Sequence, residues 1–332
     1  MNIQKVDPLA PRDGTETSPE VALNRRKWLK RTAAVGVTGG MIAAGAYWAG
    51  QRLKGTDEEV LTHGVIKEKP DLNLYPAKLE ERFAYERDET DRAEAARYAN
   101  FYEFSRYKYV WRFVEDFKPL PWKLTVAGHC NKPFEIDFED LLRRFASSFR
   151  ERQYRHRCVE TWAMAVPWTG FQLSELIKAA EPTAKATHVR FVSFLRPDEA
   201  TNQETDDAFP WPYVEGLTLE EATNELTFLA TGMYGEPLFK QHGAPLRLVV
   251  PWKYGYKSIK SIERIEIVDS EPLPFWTEIK PDWYPFRSNV NPSVPIPWNQ
   301  SRERMLGTGE QYDTQMYNGY GEYVTHMYPG RV

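Results

Sequence analysis

Cys158 is the residue whose neighbours in the sequence most favour chemistry. It follows Arg155, His156 and Arg157 and precedes Glu160. Nearby positive charge favours the thiolate, which is the nucleophilic form of cysteine and the form that binds soft metals. The same pattern is also compatible with an inert buried thiol, so the local sequence leaves both interpretations open.

The second cysteine, Cys130, lies in a predicted turn at residues 128–133 and has no comparable basic run before it. A disulfide between Cys130 and Cys158 is compatible with an oxidising compartment. Folding in the reducing cytoplasm before any export would disfavour that bond. We therefore expect no role for Cys130.

Two later segments combine basic side chains with turns. Residues 241–247 place His242 and Arg247 around a Gly-Ala-Pro turn, and residues 252–260 contain Lys253, Lys257 and Lys260. Lysine, arginine and free backbone N–H groups suit phosphate. Because basic residues on turns are often only solvated, spacing alone leaves this function open.

Several other catalytic classes are disfavoured. The six histidines show no zinc-binding spacing, and no Gly-x-Ser-x-Gly elbow or glycine-rich nucleotide loop is present. The many carboxylates are expected on solvated faces. With a net charge of −4 and a pI near 6.0, the chain also lacks the basic surplus of a nucleic-acid-binding protein.

The elements that would position these residues mix strands and helices irregularly. Alternating apolar residues predict strands at 122–128, 153–159, 188–194, 246–251 and 259–268. Helical spacing, with Asp137 as the first N-cap, predicts helices at 138–145, 173–180 and 219–223. After Ser270 the chain is rich in Pro, Trp and Tyr and is expected to wrap the body as a tail. This pattern favours an α+β fold.

The N-terminal 50 residues have the character of a targeting segment. Arg25 and Arg26 precede Lys27 and an uncharged stretch rich in Gly and Ala at residues 33–50. This matches twin-arginine export, in which a charged region precedes a mildly apolar one. The alternative is a basic membrane anchor or a basic helix with a Gly-rich linker. Residues 44–46 and 47–49 both roughly fit a cleavage site, and an uncleaved leader is the third alternative.

Five segments together resemble one family. They are Asn-Phe-Tyr-Glu-Phe (100–104), Arg-Cys-Val-Glu-Thr-Trp-Ala-Met-Ala-Val-Pro-Trp-Thr-Gly (157–170), Pro-Tyr-Val-Glu-Gly-Leu (212–217), His-Gly-Ala-Pro-Leu-Arg (242–247) and Val-Pro-Trp-Lys-Tyr-Gly-Tyr-Lys-Ser-Ile-Lys-Ser-Ile (250–262). In this order they resemble the sulfite-oxidase-fold molybdenum enzymes, most closely the bacterial periplasmic protein-methionine-sulfoxide reductases. The likeness runs from about residue 98 to the C-terminus and includes the leader.

The resemblance implies a sulfite-oxidase-type molybdopterin-binding fold, a single mixed α/β domain at residues 98–332. An extended arm at 51–97 and a twin-arginine signal segment at 1–50 would precede it. The domain would hold one molybdenum–molybdopterin (Mo-MPT) per chain.

Site residues are carried over from the family position by position. Cys158 matches the metal-ligating, catalytic cysteine. The cofactor-binding positions fall on Asn100, Tyr102, Glu103, Ser193, His242, Arg247, Ser258, Ile259 and Lys260, of which His242, Arg247 and Lys260 would hold the phosphate and polar edge of the pterin. The chain departs from close relatives at Ala99 and Ser193, where Asn and Thr are common, and at His242, where Asn occurs in the reductases although the broader family often has His. Glu160 and Trp162 are a further hypothesis for residues near the metal or the substrate entrance.

The implied activity is the reduction of methionine sulfoxide in periplasmic proteins. This chain has no Cys-x-x-Cys-His haem motif, so the family implies a membrane-embedded haem b subunit that passes electrons from quinone. The other partners would be oxidised periplasmic proteins and the twin-arginine translocase, and not nucleic acid. The alternatives are a sulfite dehydrogenase or a general S- or N-oxide reductase of the same fold, and a protein that kept the fold but lost the metal.

Overall fold

Two mixed β-sheets form the frame of the protein, in a computed structural model that describes residues 54–66 and 72–330. The predicted signal segment at residues 1–50 lies outside these residues. Among the helices that the structure describes, none has the length and apolar character to cross a bilayer. The strands are β1 (Lys123–Gly128), β2 (Phe134–Asp137), β3 (Arg150–Arg157), β4 (Trp162–Gln172), β5 (His188–Ser193), β6 (Val214–Thr218), β7 (Phe228–Met233), β8 (Glu236–Pro237), β9 (Arg247–Val249), β10 (Ile262–Val268), β11 (Arg302–Met305) and β12 (Gln311–Asp313).

Short helices connect and flank the strands. They are α1 (Asp57–His63), α2 (Arg92–Arg97), α3 (Phe138–Phe145), α4 (Leu173–Ala180), α5 (Asn202–Thr205), α6 (Leu219–Thr223), α7 (Phe275–Ile279) and α8 (Gly321–Val324). Single 3₁₀ turns lie at Glu81–Phe83, Val110–Phe113, Ala146–Ser148, Lys240–His242, Gly255–Lys257, Met316–Gly319 and Thr325–Met327.

The first sheet has the order β2-β1-β10-β5-β6, in which β1 and β10 are parallel and the other pairs antiparallel. The second has the order β12-β11-β4-β7-β8, with β3 paired to β4 and β9 paired to β7. Only the β11–β4 pair in it is parallel among the described strands. Mixed sheets with short helices confirm the predicted α+β class.

The elements that the sequence predicted are those whose apolar side chains recur with the period of a strand or a helix. In β5 buried and partly exposed residues alternate, and α3 buries Phe138, Leu141, Leu142 and Phe145 on one face. The predicted strands and helices each overlap an observed element. Asp137 does precede α3, but its side chain makes no capping hydrogen bond. β4 was not predicted, because its first ten residues are all buried and show no alternation.

The two ends of the described chain contribute to the same apolar core as the sheets. Phe83 from the arm packs in this core with Tyr154 of β3, and Val324 and Tyr328 from the tail also belong to it. The tail is more than a wrapping segment, because it adds β11 and β12 to the second sheet. Gly55–Val332 groups as one unit, while the predicted boundary at residues 97 and 98 stays a prediction.

Candidate active site

Cys158 lies in the tight turn that joins β3 to β4. Its backbone N–H donates to the carbonyl of Trp162 at 2.9 Å, and the N–H of Thr161 donates back to the carbonyl of Cys158 at 3.0 Å. Thr161 takes a left-handed conformation with φ of 73°, which allows the chain to reverse in so few residues. The backbone of Cys158 is therefore held between two paired strands, which fixes the position from which its side chain extends.

The two arginines before Cys158 direct their guanidinium groups to partners other than its sulfur, contrary to the expectation from the sequence. Arg155 and Arg157 are two residues apart and therefore lie on the same face of β3, where Arg155 bonds Oε1 of Gln315 and Arg157 pairs with Glu303. Burial, with the nearby charge of Glu160, raises the pKa of the Cys158 thiol to about 12. Without a metal the residue is therefore a neutral thiol.

Glu160 is the centre of a polar cluster beside the sulfur. Its carboxylate accepts from Nζ of Lys108 at 2.5 Å, Nδ2 of Asn100 at 3.1 Å and Nε1 of Trp162 at 3.0 Å. One carboxylate oxygen lies 3.8 Å from Sγ of Cys158, and Nδ2 of Asn100 lies 3.6 Å from the same sulfur. Burial would raise the pKa of Glu160, but the charge and hydrogen bonds of these partners lower it. Glu160 is thus held as an anion.

One pocket, of about 870 Å³ when the open solvent at its mouth is included, is lined by Asn100, Glu160 and Trp162 of this cluster and by nearly all the predicted cofactor positions. The predicted residues that line it are Asn100, Tyr102, Glu103, Cys158, His242, Arg247, Ser258, Ile259 and Lys260. Ser193 does not line it. Its hydroxyl donates to the backbone carbonyl of Lys260 at 2.8 Å, so it supports the wall of the pocket.

Arg247 provides the test of whether these residues fit a pterin phosphate. Its guanidinium is buried and donates to the carbonyls of His242 at 2.8 Å and Ser258 at 3.1 Å. Among the residues that the structure describes, it has no carboxylate within ion-pair distance, and burial lowers its pKa to about 9. A buried cation without a counter-ion is costly, and a bound phosphate would compensate it. The site therefore fits an anionic cofactor.

Lys260 and Glu103 are a buried lysine and a buried carboxyl in the same pocket. Burial and the charge of Arg247 lower the pKa of Lys260, and burial raises that of Glu103. Nζ of Lys260 donates to the backbone carbonyl of Asn100 at 2.7 Å. Lys260 thus connects the 258–260 segment to the segment that carries Asn100.

Two histidines in the pocket are neutral. Burial lowers the pKa of His242 to about 3 and places that of His156 far below its usual value. His156, which was not among the predicted site residues, lines the pocket beside Gly255. A Cβ at Gly255 would lie 2.4 Å from Nε2 of His156, so glycine is required for this close approach.

The other lysines of the second basic segment do not serve the pocket. Lys253 pairs with Glu221 at 2.6 Å and Lys257 pairs with Glu215 at 2.5 Å, and all four side chains are buried. We expected the carboxylates on solvated faces, but these two are buried, as are Glu103 and Glu303. Both lysines are therefore structural.

Aromatic rings form much of the remaining pocket lining. The rings of Tyr98 and Trp162 pack edge-on with their centroids 5.4 Å apart. The centroid of Trp276 lies 5.0 Å from that of Tyr102 and 5.3 Å from that of Tyr284. Tyr98, Trp276 and Tyr284 were missed by the sequence reasoning, as was Lys108. For Trp276 and Tyr284 the only sequence signal is the aromatic richness of the tail. Tyr98 and Lys108 lie outside the tail, and folding alone brings them to the site.

Cys130 lies apart from the pocket lining and is half-buried. Both cysteines are free thiols, so the disulfide that the composition left open does not form.

Comparisons with known proteins show what this chain is similar to. The family model described as oxidoreductase molybdopterin binding domain matches residues 112–276. The protein-methionine-sulfoxide reductase catalytic subunit MsrP of Gluconobacter oxydans (strain 621H) is 49% identical over 249 residues, which are 73% of this chain and 79% of that protein. The sulfane dehydrogenase SoxCD from Paracoccus pantotrophus is a solved structure with a TM-score of 0.38 at 18% identity, covering 60% of this chain and 46% of that one.

The fold and the matched domain define a molybdopterin-binding oxidoreductase. Within that class, the chain belongs to the family of the MsrP catalytic subunits. This confirms the predicted enzyme class and the predicted Mo-MPT cofactor.

Proposed function

We propose that this protein is a molybdenum-dependent reductase that removes oxygen from methionine sulfoxide in proteins, and that Cys158 binds the metal. The observation that carries the proposal is that the Cys158 thiol lines the same pocket as Arg247, a buried guanidinium whose hydrogen bonds go to carbonyl groups. A thiolate ligand and an anion-binding cation are the two contacts that a molybdenum–pterin phosphate needs. The name of the 49% identical relative supports the substrate.

In this proposal the predicted residues divide by task. Arg247, Lys260 and His242 hold the phosphate and polar edge of the pterin. Asn100, Tyr102, Glu103, Ser258 and Ile259 line the rest of the cofactor pocket, and Ser193 holds the backbone of Lys260.

When bound, the cofactor supplies oxygen-atom transfer: the sulfoxide becomes a thioether, and two electrons and two protons convert its oxygen to water. The protein orients the substrate. Aromatic faces at Trp162, Trp276 and Tyr284 suit a methylthio group, since sulfur packs favourably against aromatic rings. Glu160, whose charge Lys108 compensates, lies beside the sulfur of Cys158 and borders the place of the substrate.

We also propose periplasmic location after twin-arginine export, supported by Arg25, Arg26 and the uncharged stretch that follows. The translocase and oxidised periplasmic proteins would then be partners. Since the chain has only two cysteines and no haem motif, electrons come from outside, and a membrane-embedded, quinone-linked haem b subunit is the proposed donor.

The test is metal analysis and a dye-linked assay on protein made in a host that synthesises molybdopterin. We expect stoichiometric molybdenum and reduction of free and protein-bound methionine sulfoxide. Cys158→Ser should lose both, whereas the matched variant Cys130→Ser should keep both. Full molybdenum with an unchanged spectrum in Cys158→Ser would overturn the ligand assignment. Sulfite oxidation without sulfoxide reduction would overturn the substrate.

A further inference from the structure

Three buried charged side chains, Arg87, Arg157 and Glu303, adjoin the turn that carries Cys158. Nε of Arg157 lies 3.1 Å from one carboxylate oxygen of Glu303, and Arg87 donates a hydrogen bond to the other oxygen. The side chains are 6%, 0% and 2% exposed, respectively. We call this group the arginine–glutamate triad. Charges this deeply buried are not screened by water and act over longer distances than surface charges.

Arg157 connects the triad to the backbone of Cys158. One of its nitrogens donates to the carbonyl oxygen of Cys158, and the other terminal nitrogen donates to Oε1 of Gln300 at 3.0 Å and Oγ1 of Thr314 at 3.3 Å. Nε2 of Gln300 donates in turn to the carbonyl of Val159 at 2.8 Å. Arg157 and Gln300 thus hold two consecutive carbonyl groups of the cysteine turn.

The triad holds two guanidinium groups and one carboxylate, so it carries a surplus of one positive charge where it meets the turn. That charge lies next to the metal ligand, since the guanidinium of Arg157 bonds the backbone carbonyl of Cys158. A positive charge near a metal ligand stabilises the more reduced, more negative state of the centre. Removing the carboxylate should therefore raise the reduction potential of the centre, and removing a guanidinium should lower it.

We propose that, with Cys158 as the metal ligand of the proposed function, the arginine–glutamate triad positions the cysteine turn and sets the reduction potential of the metal bound there. Its members are positioning residues, because they act on the metal through the backbone and the electrostatic field of Cys158. Through Arg87 the arm contributes to holding the cysteine turn, and through Glu303 the tail does so as well.

The experiment is a redox titration of the molybdenum centre in the holoenzyme, followed by Mo(V) electron paramagnetic resonance. Glu303→Gln removes a negative charge with little change of shape, and we expect a higher potential. Arg87→Met removes a positive charge, and we expect a lower one. Both should shift the Mo(V) line positions. The control is Asp313→Asn on the neighbouring strand, whose side chain is 88% exposed, and it should leave the potential unchanged.

Opposite shifts support the triad, because simple loosening of the fold would move both variants in the same direction. Equal potentials in both variants and the wild type, or shifts of one sign, overturn it. If Glu303→Gln does not fold, Arg87→Met decides alone, and an unchanged or higher potential overturns the proposal. The reduction potential is a property of the metal, so it can be interpreted even if the substrate assignment is wrong. If Cys158→Ser still binds molybdenum, the premise that Cys158 is the metal ligand fails instead.

Discussion

The ammonium of Lys108 lies 2.5 Å from the same carboxylate oxygen of Glu160 that lies 3.8 Å from the sulfur of Cys158. Lys108 also donates to Oδ1 of Asn100. One cation therefore orients both polar side chains that approach the sulfur. Both partners of the ion pair are about three quarters buried, which protects the pair from screening by salt.

Replacing Lys108 by methionine should release Glu160 and Asn100 while keeping the length of the side chain. We expect kcat/KM for methionine sulfoxide to fall about 3- to 10-fold, or ~0.7–1.4 kcal/mol, with molybdenum content unchanged. Lys108→Arg is the matched variant and should keep most of the activity. Steady-state kinetics with metal analysis measure both. Equal kcat/KM in Lys108→Met and the wild type would mean that this ion pair only packs.

Arg247→Met should separate cofactor binding from folding. Losing the charge-assisted contact to a phosphate should weaken cofactor binding by on the order of 2–5 kcal/mol. The unfolding midpoint of the apoprotein should change little, because relief of a buried, unpaired charge offsets the lost hydrogen bonds. Molybdenum analysis and thermal unfolding measure the two effects. Arg264→Met, a half-exposed arginine of β10, is the control, and full molybdenum in Arg247→Met would contradict the assignment.

Trp276→Leu tests the aromatic wall of the pocket. Losing the indole face should raise KM for methionine sulfoxide by about 3- to 10-fold, consistent with a sulfur–aromatic contact of ~1 kcal/mol, while kcat changes less. Trp283→Leu removes a 44% exposed tryptophan from the same segment without touching the pocket lining. It should leave both constants unchanged. If the two variants behave alike, Trp276 does not contact the substrate.

Glu221 predicts how stability depends on pH. Burial would raise its pKa, but Lys253, Tyr328 and a backbone hydrogen bond lower it below the unfolded value. A carboxyl with a lowered pKa stabilises the fold above its unfolded pKa of about 4.3, and this contribution is lost as the pH falls through the folded pKa. The free energy of unfolding should therefore fall with acidification.

Glu221→Gln should flatten that acid limb. At neutral pH it should cost on the order of 3–5 kcal/mol, because Lys253 is left buried without its partner. Chemical denaturation of the full chain across acid to neutral pH gives both quantities. Glu220→Gln, at the exposed neighbouring position, should match the wild type throughout. A parallel acid limb in Glu221→Gln would assign the pH dependence to other groups.

Sequence reasoning predicted elements wherever one face is buried and the other is not. β1, β5 and α3 show this pattern. β4 is buried throughout, and β11 reads Arg-Glu-Arg-Met, so neither shows a period that identifies a strand. Their places depend on tertiary pairing, which a local pattern does not contain.

The residues of the candidate site likewise fall into those that the sequence could predict and those that it could not. Residues within family motifs, such as Asn100, Cys158 and Lys260, could be carried over from sequence, and the pocket brings them together. Lys108 and Trp276 could not, because loops far apart in the chain place them beside Cys158. The contacts of Arg157 could not be predicted for a related reason, since its guanidinium bonds Glu303 and the backbone of the cysteine turn rather than the sulfur.

The parallel pairing of β11 with the start of β4 has a consequence for the order of events during synthesis. Arg304 and Met305 pair with Trp162 and Ala163, but the ribosome makes them long after the turn at Cys158. While the chain is still emerging, that turn lacks the strand and the carboxylate of Glu303 that hold it from the far end of the sequence. The turn at Cys158 therefore gains its last backbone support only after β11 has been translated.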